Sequence, residues 1–298
     1  MFTGCGTALV TPFTKDGSLD ESTLRKLVRR QIEAGINFLV PCGTTGESPT
    51  LTRAEHLRVI ELVVEEAKGK VPVLGGAGGN NTREVIELAR ELERIGVDGI
   101  LSVTPYYNRP TQEGLYQHYE AIAAGIRLPI VVYSVQGRTG VNVEPATLKR
   151  LAQIENIVAV KEASGHMTQI ANVLHEVPPE FTVFSGDDAI TIPVIVLGGR
   201  GLISTVANQI PGPMAQLVKA SLAGDFAAAR QIHARYLPLM NVNFVETNPI
   251  PVKAAMALMG LLEPVWRLPL CAPAAANLTK IEKVLESVGL LGSVPVAG

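Results

Sequence analysis

Charge is scarce in this 298-residue chain: 18% of residues are charged, and the net charge is -2. No basic block interrupts the sequence, which argues against a surface for nucleic acid or an anionic membrane. Cysteine is scarcer still. Cys5, Cys42 and Cys271 are odd in number and far apart, so neither a disulfide framework nor a zinc site is expected, and a reduced, cytoplasmic setting fits. Long apolar runs are missing too. The longest, near AITIPVIVLGG, is too short to span a bilayer. The opening MFTGCGTALVTPF lacks the basic and apolar regions of a signal peptide. Histidines and carboxylates never cluster with metal-ligand spacing, so no metal is expected. GGAGGNN, from Gly75 to Asn81, lacks both the final Gly-Lys-Ser/Thr of a phosphate loop and the third dinucleotide glycine, and reads as a simple loop.

Apolar residues are abundant, at 47%. They suffice for a large core and leave apolar surface for contact between subunits. Eight short apolar runs recur: TALV from Thr7, INFLV from Ile36, VPVLGG from Val71, GILSV from Gly99, IVVY from Ile130, IVAV from Ile157, FTVF from Phe181 and GLIS from Gly201. Amphipathic helical patterns fill the gaps. One starts at Asp20 as N-cap and ends at Gly35. A second opens with Thr52 and Glu55 in capping-box spacing, and a third ends at Gly96. Strands apolar on both faces and alternating with helices imply a parallel sheet covered by helices. Eight units predict a closed α/β barrel of the (β/α)8 type, spanning residues 1–224, with a C-terminal helical extension over 225–298. Helix-like stretches run around Met214–Met240, Pro249–Leu262 and Ala272–Leu291; the first helix is expected to close the barrel, and the remainder forms the extension.

In such a barrel the chemistry sits where the strands end. The run IVAVKEASG drives an apolar strand straight into Lys161. Alone it is compatible with a strand-end lysine that reaches solvent or pairs with Glu162. It is equally compatible with a desolvated amine, whose burial disfavours the charged form and frees it to attack a ketone. The product would be a Schiff base, an electron sink needing no cofactor. In GTTGES, the backbone N–H groups and hydroxyls of Thr44 and Thr45 could hold a small carboxylate, or the glycines could serve only tight turns. Arg138 is either a surface residue or a fork for a second carboxylate. Asp187 or Asp188 reads as a helix cap. None of the five histidines is assigned to catalysis.

GTALVTPF, GTTGESPTL, TPYYNRPTQEGLY, YSVQGRTG, VAVKEASG, SGDDA, GLIS with AN after it, and NPIPVKAAM stand in one order along nearly the whole chain. That order resembles the dihydrodipicolinate synthase family, within the pyruvate-dependent Schiff-base aldolases that also include N-acetylneuraminate lyase. The resemblance implies that Lys161 condenses with pyruvate and that the enamine attacks L-aspartate 4-semialdehyde, with no cofactor beyond the covalent Schiff base. It implies Tyr133 as general acid/base and Thr45 and Tyr107 as a hydroxyl relay supported by Thr44, the tyrosine coming from a neighbouring subunit. Arg138 would hold the semialdehyde carboxylate. Gly186 and Ile203 would act at the pyruvate end through main-chain groups. A homo-oligomer follows, usually a tetramer built from two dimers. In the family a lysine effector site between subunits corresponds here to Ser48, His56, Asn80, Glu84 and Tyr106, with Arg53 beside it adding unfavourable positive charge. The family's Asn-Val-Pro after the catalytic tyrosine is here Ser134, Val135 and Gln136, and loss of the proline is expected to loosen the loop that aims Arg138. A related sugar-acid aldolase would share Lys161, Tyr133 and the GTTGE loop, and the arginine distinguishes the two. A barrel that had lost catalysis would be expected to have lost Lys161, Tyr133, Thr45 or Tyr107.

Overall fold

Strand and helix alternate along the chain of this computed structural model, which describes residues 2–291. The strands are β1 (Gly4–Ala8), β2 (Phe38–Val40), β3 (Leu74–Gly76), β4 (Gly99–Val103), β5 (Ile130–Ser134), β6 (Ile157–Glu162), β7 (Thr182–Ser185) and β8 (Gly201–Ser204). All pair in parallel in the order β2-β1-β8-β7-β6-β5-β4-β3. A parallel bridge from Leu39 to Val73 then joins β2 to the approach of β3 and closes the barrel.

The helices are α1 (Glu21–Glu33), α2 (Arg53–Ala67), α3 (Thr82–Ile95), α4 (Gln112–Gly125), α5 (Gln136–Thr139), α6 (Pro145–Leu151), α7 (Met167–Glu176), α8 (Thr191–Val196), α9 (Pro211–Leu222), α10 (Phe226–Val242), α11 (Ile250–Leu258) and α12 (Ala275–Ser287). Their ends follow local chemistry. Asp20 accepts from the Thr23 N–H at 2.9 Å. Thr52 and Glu55 form the complete capping box, and Gly96 closes α3 in the left-handed region. None of the helices described is long and apolar enough to cross a membrane.

Each expected strand run overlaps an observed strand, but β1 begins at Gly4, three residues before the expected Thr7. Glycine weakens the apolar signal there, yet the barrel needs it. A Cβ on Gly6 would lie 2.1 Å from the Phe38 ring, which fills the interior. Alternation along the strands sorts the rest. Val131 and Ala159 point inward with Phe38, Leu101, Phe184 and Ile203. Val132, Val160 and Leu202 point outward against the helices, in the larger apolar cluster. That cluster continues through Leu217 of α9 into Leu239, Ala255 and Ile281, so the C-terminal helices share the barrel's core.

A buried ion pair ties the extension to the C-terminal face of the barrel. Lys253, in α11, lies 2.5 Å from Glu47 with both side chains fully buried. Its Nζ also donates to the Thr11 carbonyl at 3.1 Å and sits 4.4 Å over the Phe13 ring. Burial pulls its pKa below the ordinary lysine value, while Glu47 opposes that shift. The second Glu47 oxygen accepts the Arg267 N–H at 3.2 Å. Arg267 in turn forks onto Glu55, at 2.6 and 2.9 Å, which holds that carboxyl down to about 2.

Breaking a buried pair from one side leaves an uncompensated charge. Lys253→Met is therefore expected to lower unfolding free energy by about 3–5 kcal/mol, and Lys253→Met with Glu47→Leu by much less. Urea denaturation of the two variants checks this. Equal losses would show that the ion pair is not what joins the two parts.

Candidate active site

Parallel register places Tyr133 beside Lys161 on neighbouring strands, both pointing inward at the C-terminal end of the barrel. Lys161 is 6% exposed and Tyr133 7%, and Nζ lies 4.3 Å from the centre of the Tyr133 ring. Among the described residues the Lys161 amine has no hydrogen-bond or ion-pair partner. Strand alternation sends Glu162 to the other face. There it is fully buried and accepts from Gln169 Nε2 at 2.9 Å, with burial raising its carboxyl pKa. A Lys161–Glu162 pair is thus excluded by geometry.

Lys161, Tyr133, Thr44, Thr45, Arg138 and Gly186 meet around a cavity of about 150 Å³. The GTTGES turn forms one wall. Gly46 and Glu47 donate their N–H groups back to Gly43 and Thr44, each at 3.1 Å, and Thr11 Oγ1 donates to the Gly46 carbonyl at 2.7 Å. The N–H groups of Thr44 and Thr45 donate to no other described residue, which suits them to an anion. Glu47 itself sits at φ +53°, in the left-handed region. Its buried pairing with Lys253 holds it in that conformation.

Gly186 lines the cavity where a Cβ would come within 2.6 Å of the Ala163 Cβ. Its N–H donates to the Glu162 carbonyl at 2.7 Å, leaving the carbonyl as its open main-chain group. Ile203 is buried in the interior cluster with Tyr133 and does not line the cavity. Arg138, on α5, is exposed at the rim and donates to the Asn248 carbonyl at 3.2 Å. The turn that carries it is closed without proline. The Arg138 and Thr139 N–H groups bond to Val135 O, and the Gly140 N–H bonds to Gln136 O, all within 3.1 Å. Ser134 Oγ accepts the Val143 N–H at 3.2 Å.

Tyr107 stands apart. It is 90% exposed, adopts φ +71°, and reaches neither this cavity nor its neighbour in a single chain. A bulky residue in that conformation is strained and needs surroundings that hold it.

A second cavity, of about 320 Å³, adjoins the first through Thr44, Tyr133 and Arg138. Ser48, His56 and Tyr106 line it. Asn80 and Glu84 do not: Asn80 donates to the Tyr106 carbonyl at 3.2 Å, and Glu84 accepts from Asn81 Nδ2 at 2.8 Å. His56 Nε2 lies 2.8 Å from the Gly76 carbonyl, and burial chiefly lowers its pKa. Arg53 is engaged 2.8 Å from Glu91.

Two participants escape a sequence reading. Asn248 donates from Nδ2 to Thr45 Oγ1 at 2.9 Å, across 203 residues, and so fixes a hydroxyl whose proton is left to point elsewhere. Before a proline, that asparagine reads only as a turn residue. Asp187 caps Ala189 at 2.9 Å as its position suggests, yet it also lines the cavity. Its neighbour Asp188 is buried. It accepts from Ser204 Oγ and from the Thr205 N–H at 3.1 Å, and burial raises its carboxyl to about 6.

Asn248→Ala removes the donor that orients Thr45. Losing a hydrogen bond to a buried group is expected to slow turnover at this site roughly 10- to 100-fold, with the KM for the substrate that meets Lys161 little changed. Steady-state kinetics reads both, and an unchanged kcat would remove Thr45 orientation from the account.

Residues 1–288 match the model of the dihydrodipicolinate synthetase family. A 4-hydroxy-tetrahydrodipicolinate synthase of Koribacter versatilis (strain Ellin345) is 53% identical over 295 residues, covering 99% of this chain and 98% of that one. Dihydrodipicolinate synthase from Aquifex aeolicus superposes with a TM-score of 0.95 at 42% identity, over 97% and 99% of the two chains. The chloride-inhibited enzyme from Acinetobacter baumannii, solved with pyruvate, does so with a TM-score of 0.96 at 41% identity, over 98% and 100%.

Proposed function

The chain belongs to the dihydrodipicolinate synthetase family, and on that premise we propose that it condenses pyruvate with L-aspartate 4-semialdehyde to give 4-hydroxy-tetrahydrodipicolinate. This is the lyase reaction that commits carbon to diaminopimelate and lysine. The observation that carries the reading is the buried, unpaired Lys161 amine against Tyr133, in a cavity with Arg138 at its rim.

An amine attacks a carbonyl through its lone pair, and among the described residues no carboxylate forms an ion pair with Lys161. Lys161 Nζ bonds to the pyruvate ketone carbon, and the ketone oxygen leaves as water. The imine then gives up a methyl proton and becomes an enamine. Its carbon bonds to the aldehyde carbon of the semialdehyde, whose oxygen takes a proton and becomes the new hydroxyl. The substrate's own amine finally attacks the imine carbon, closes the ring and releases Lys161.

Tyr133 is the proton donor and acceptor in these steps, with Thr45 and Tyr107 as its relay and Thr44 in support. The Thr44 and Thr45 N–H groups take the pyruvate carboxylate, with Gly186 and Ile203 at the same end. Arg138 takes the semialdehyde carboxylate, which favours this reaction over that of a sugar-acid aldolase. The imine supplies the electron sink, so no separate cofactor is called on. Tyr107 reaches a relay only when supplied by a second copy. The working form is therefore a homo-oligomer, a tetramer made of two dimers, in the cytoplasm. Residues 1–224 are the catalytic barrel, and 225–298 are an extension that braces it. Ser48, His56 and Tyr106, with Asn80 and Glu84 nearby, are the candidate effector site for lysine.

A coupled assay tests the reading. Semialdehyde should be consumed only with pyruvate present. Lys161→Ala should abolish turnover, and Tyr133→Phe should lower kcat by about 10²- to 10⁴-fold. Arg138→Ala should raise the semialdehyde KM far more than the pyruvate KM. Full activity in Lys161→Ala, or pyruvate turnover only with sugar aldehydes, would overturn it.

A further inference from the structure

The turn that carries Arg138 leaves β5 at Ser134 and returns beside it at Val143, whose N–H donates to Ser134 Oγ at 3.2 Å. No proline stiffens it, because position 136 is glutamine. The guanidinium has one hydrogen bond among the described residues, to the Asn248 carbonyl. Its aim therefore depends on how firmly the turn is seated against the barrel.

The returning foot of the turn, Asn142, is gripped from behind. Asn142 and Gln169 of α7 face one another as two amides, each donating to the other, at 2.8 and 2.9 Å. The second Nε2 hydrogen of Gln169 goes to Glu162, also at 2.9 Å. Ser134 Oγ donates to Asn142 Oδ1 at 3.4 Å, and Gln112 of α4 donates to the Asn142 carbonyl at 2.8 Å. Glu162 is fully buried and has no ion-pair partner among the described residues. Apart from Gln169 it accepts only from the Ser164 N–H, at 3.3 and 3.4 Å. Such a carboxylate is costly to bury, and a hydrogen bond to it is a strong one. It is also the residue after Lys161 on β6. A continuous row of bonds thus runs from the strand that carries the amine to the foot of the turn that carries the guanidinium.

We propose that Gln169 is a positioning residue: by bridging Glu162 to Asn142 it fixes the Arg138 turn relative to Lys161, and supplies the stiffness that a proline at position 136 would give. It touches no substrate itself. The inference rests on the Arg138 and Lys161 assignments of the preceding section.

Gln169→Leu removes both donors at similar volume. The KM for aspartate semialdehyde should rise roughly 5- to 50-fold. The pyruvate KM and the yield of borohydride-trapped pyruvate adduct should move by no more than about twofold. A second substitution separates aiming from general loosening. Gln136 is the first residue of α5, and its N–H has no partner among the described residues, so Gln136→Pro fits there. Added to Gln169→Leu, it should recover most of the lost semialdehyde affinity by restricting the turn directly. An unchanged semialdehyde KM in Gln169→Leu, an equal rise in the pyruvate KM, or a double variant no better than the single one overturns the proposal. Should Gln169→Leu fold poorly, Asn142→Ala cuts the same link at a partly buried position and should give the same split between the two KM values. A wild type that consumes no aspartate semialdehyde overturns the parent reading and the brace with it, whereas an active wild type with an unaffected Gln169→Leu overturns the brace alone.

Discussion

Burying an ammonium group in a protein interior demands a counterion or carries a penalty of several kcal/mol. Two lysines are buried among the described residues, and the chain treats them in opposite ways. Lys253 has Glu47, a backbone carbonyl and an aromatic face. Lys161 has an aromatic face alone. The first is a structural cross-link. The second has no hydrogen-bond or ion-pair partner among the described residues and lines the cavity at the barrel mouth, and unpaired buried groups cluster at functional sites.

The two lysines are linked mechanically. Lys253 holds Glu47, and Glu47 ends the turn whose first residues, Thr44 and Thr45, face Lys161 across the cavity. The segment leading into α11 delivers Asn248 to the Thr45 hydroxyl and offers its carbonyl to Arg138. The C-terminal helices therefore do more than cover the barrel. They fix the hydroxyl and the guanidinium at the mouth, while the strands fix the amine and the phenol. Preorganisation of this kind depends on packing far from the reacting atoms.

The barrel was legible in the sequence because its cause is local. Apolar runs of four or five residues, caps such as Asp20 and Thr52, and stops such as Gly96 act within a turn or a strand. The burial of Lys161 at the end of β6 follows from a local signal too, since it ends such a run. Lys253 carries a similar signal, a lysine in an apolar helical stretch, but its meaning lies in Glu47, 206 residues away. Asn248 is equally non-local, and Asp187 reads as a cap because it is one. Tyr107 illustrates a further limit: one chain leaves it 90% exposed, and the relay role proposed for it requires a second copy. Of these residues only Tyr107 receives a catalytic role from the sequence, and that comes from family resemblance rather than from periodicity.

The central claim is that the unpaired buried lysine is the nucleophile and the paired one is not. Incubation with pyruvate and borohydride, followed by proteolysis and peptide mass mapping, tests this directly. The account predicts a single reduced adduct, on the peptide that contains Lys161. An adduct on Lys253, or none on either lysine, would contradict it.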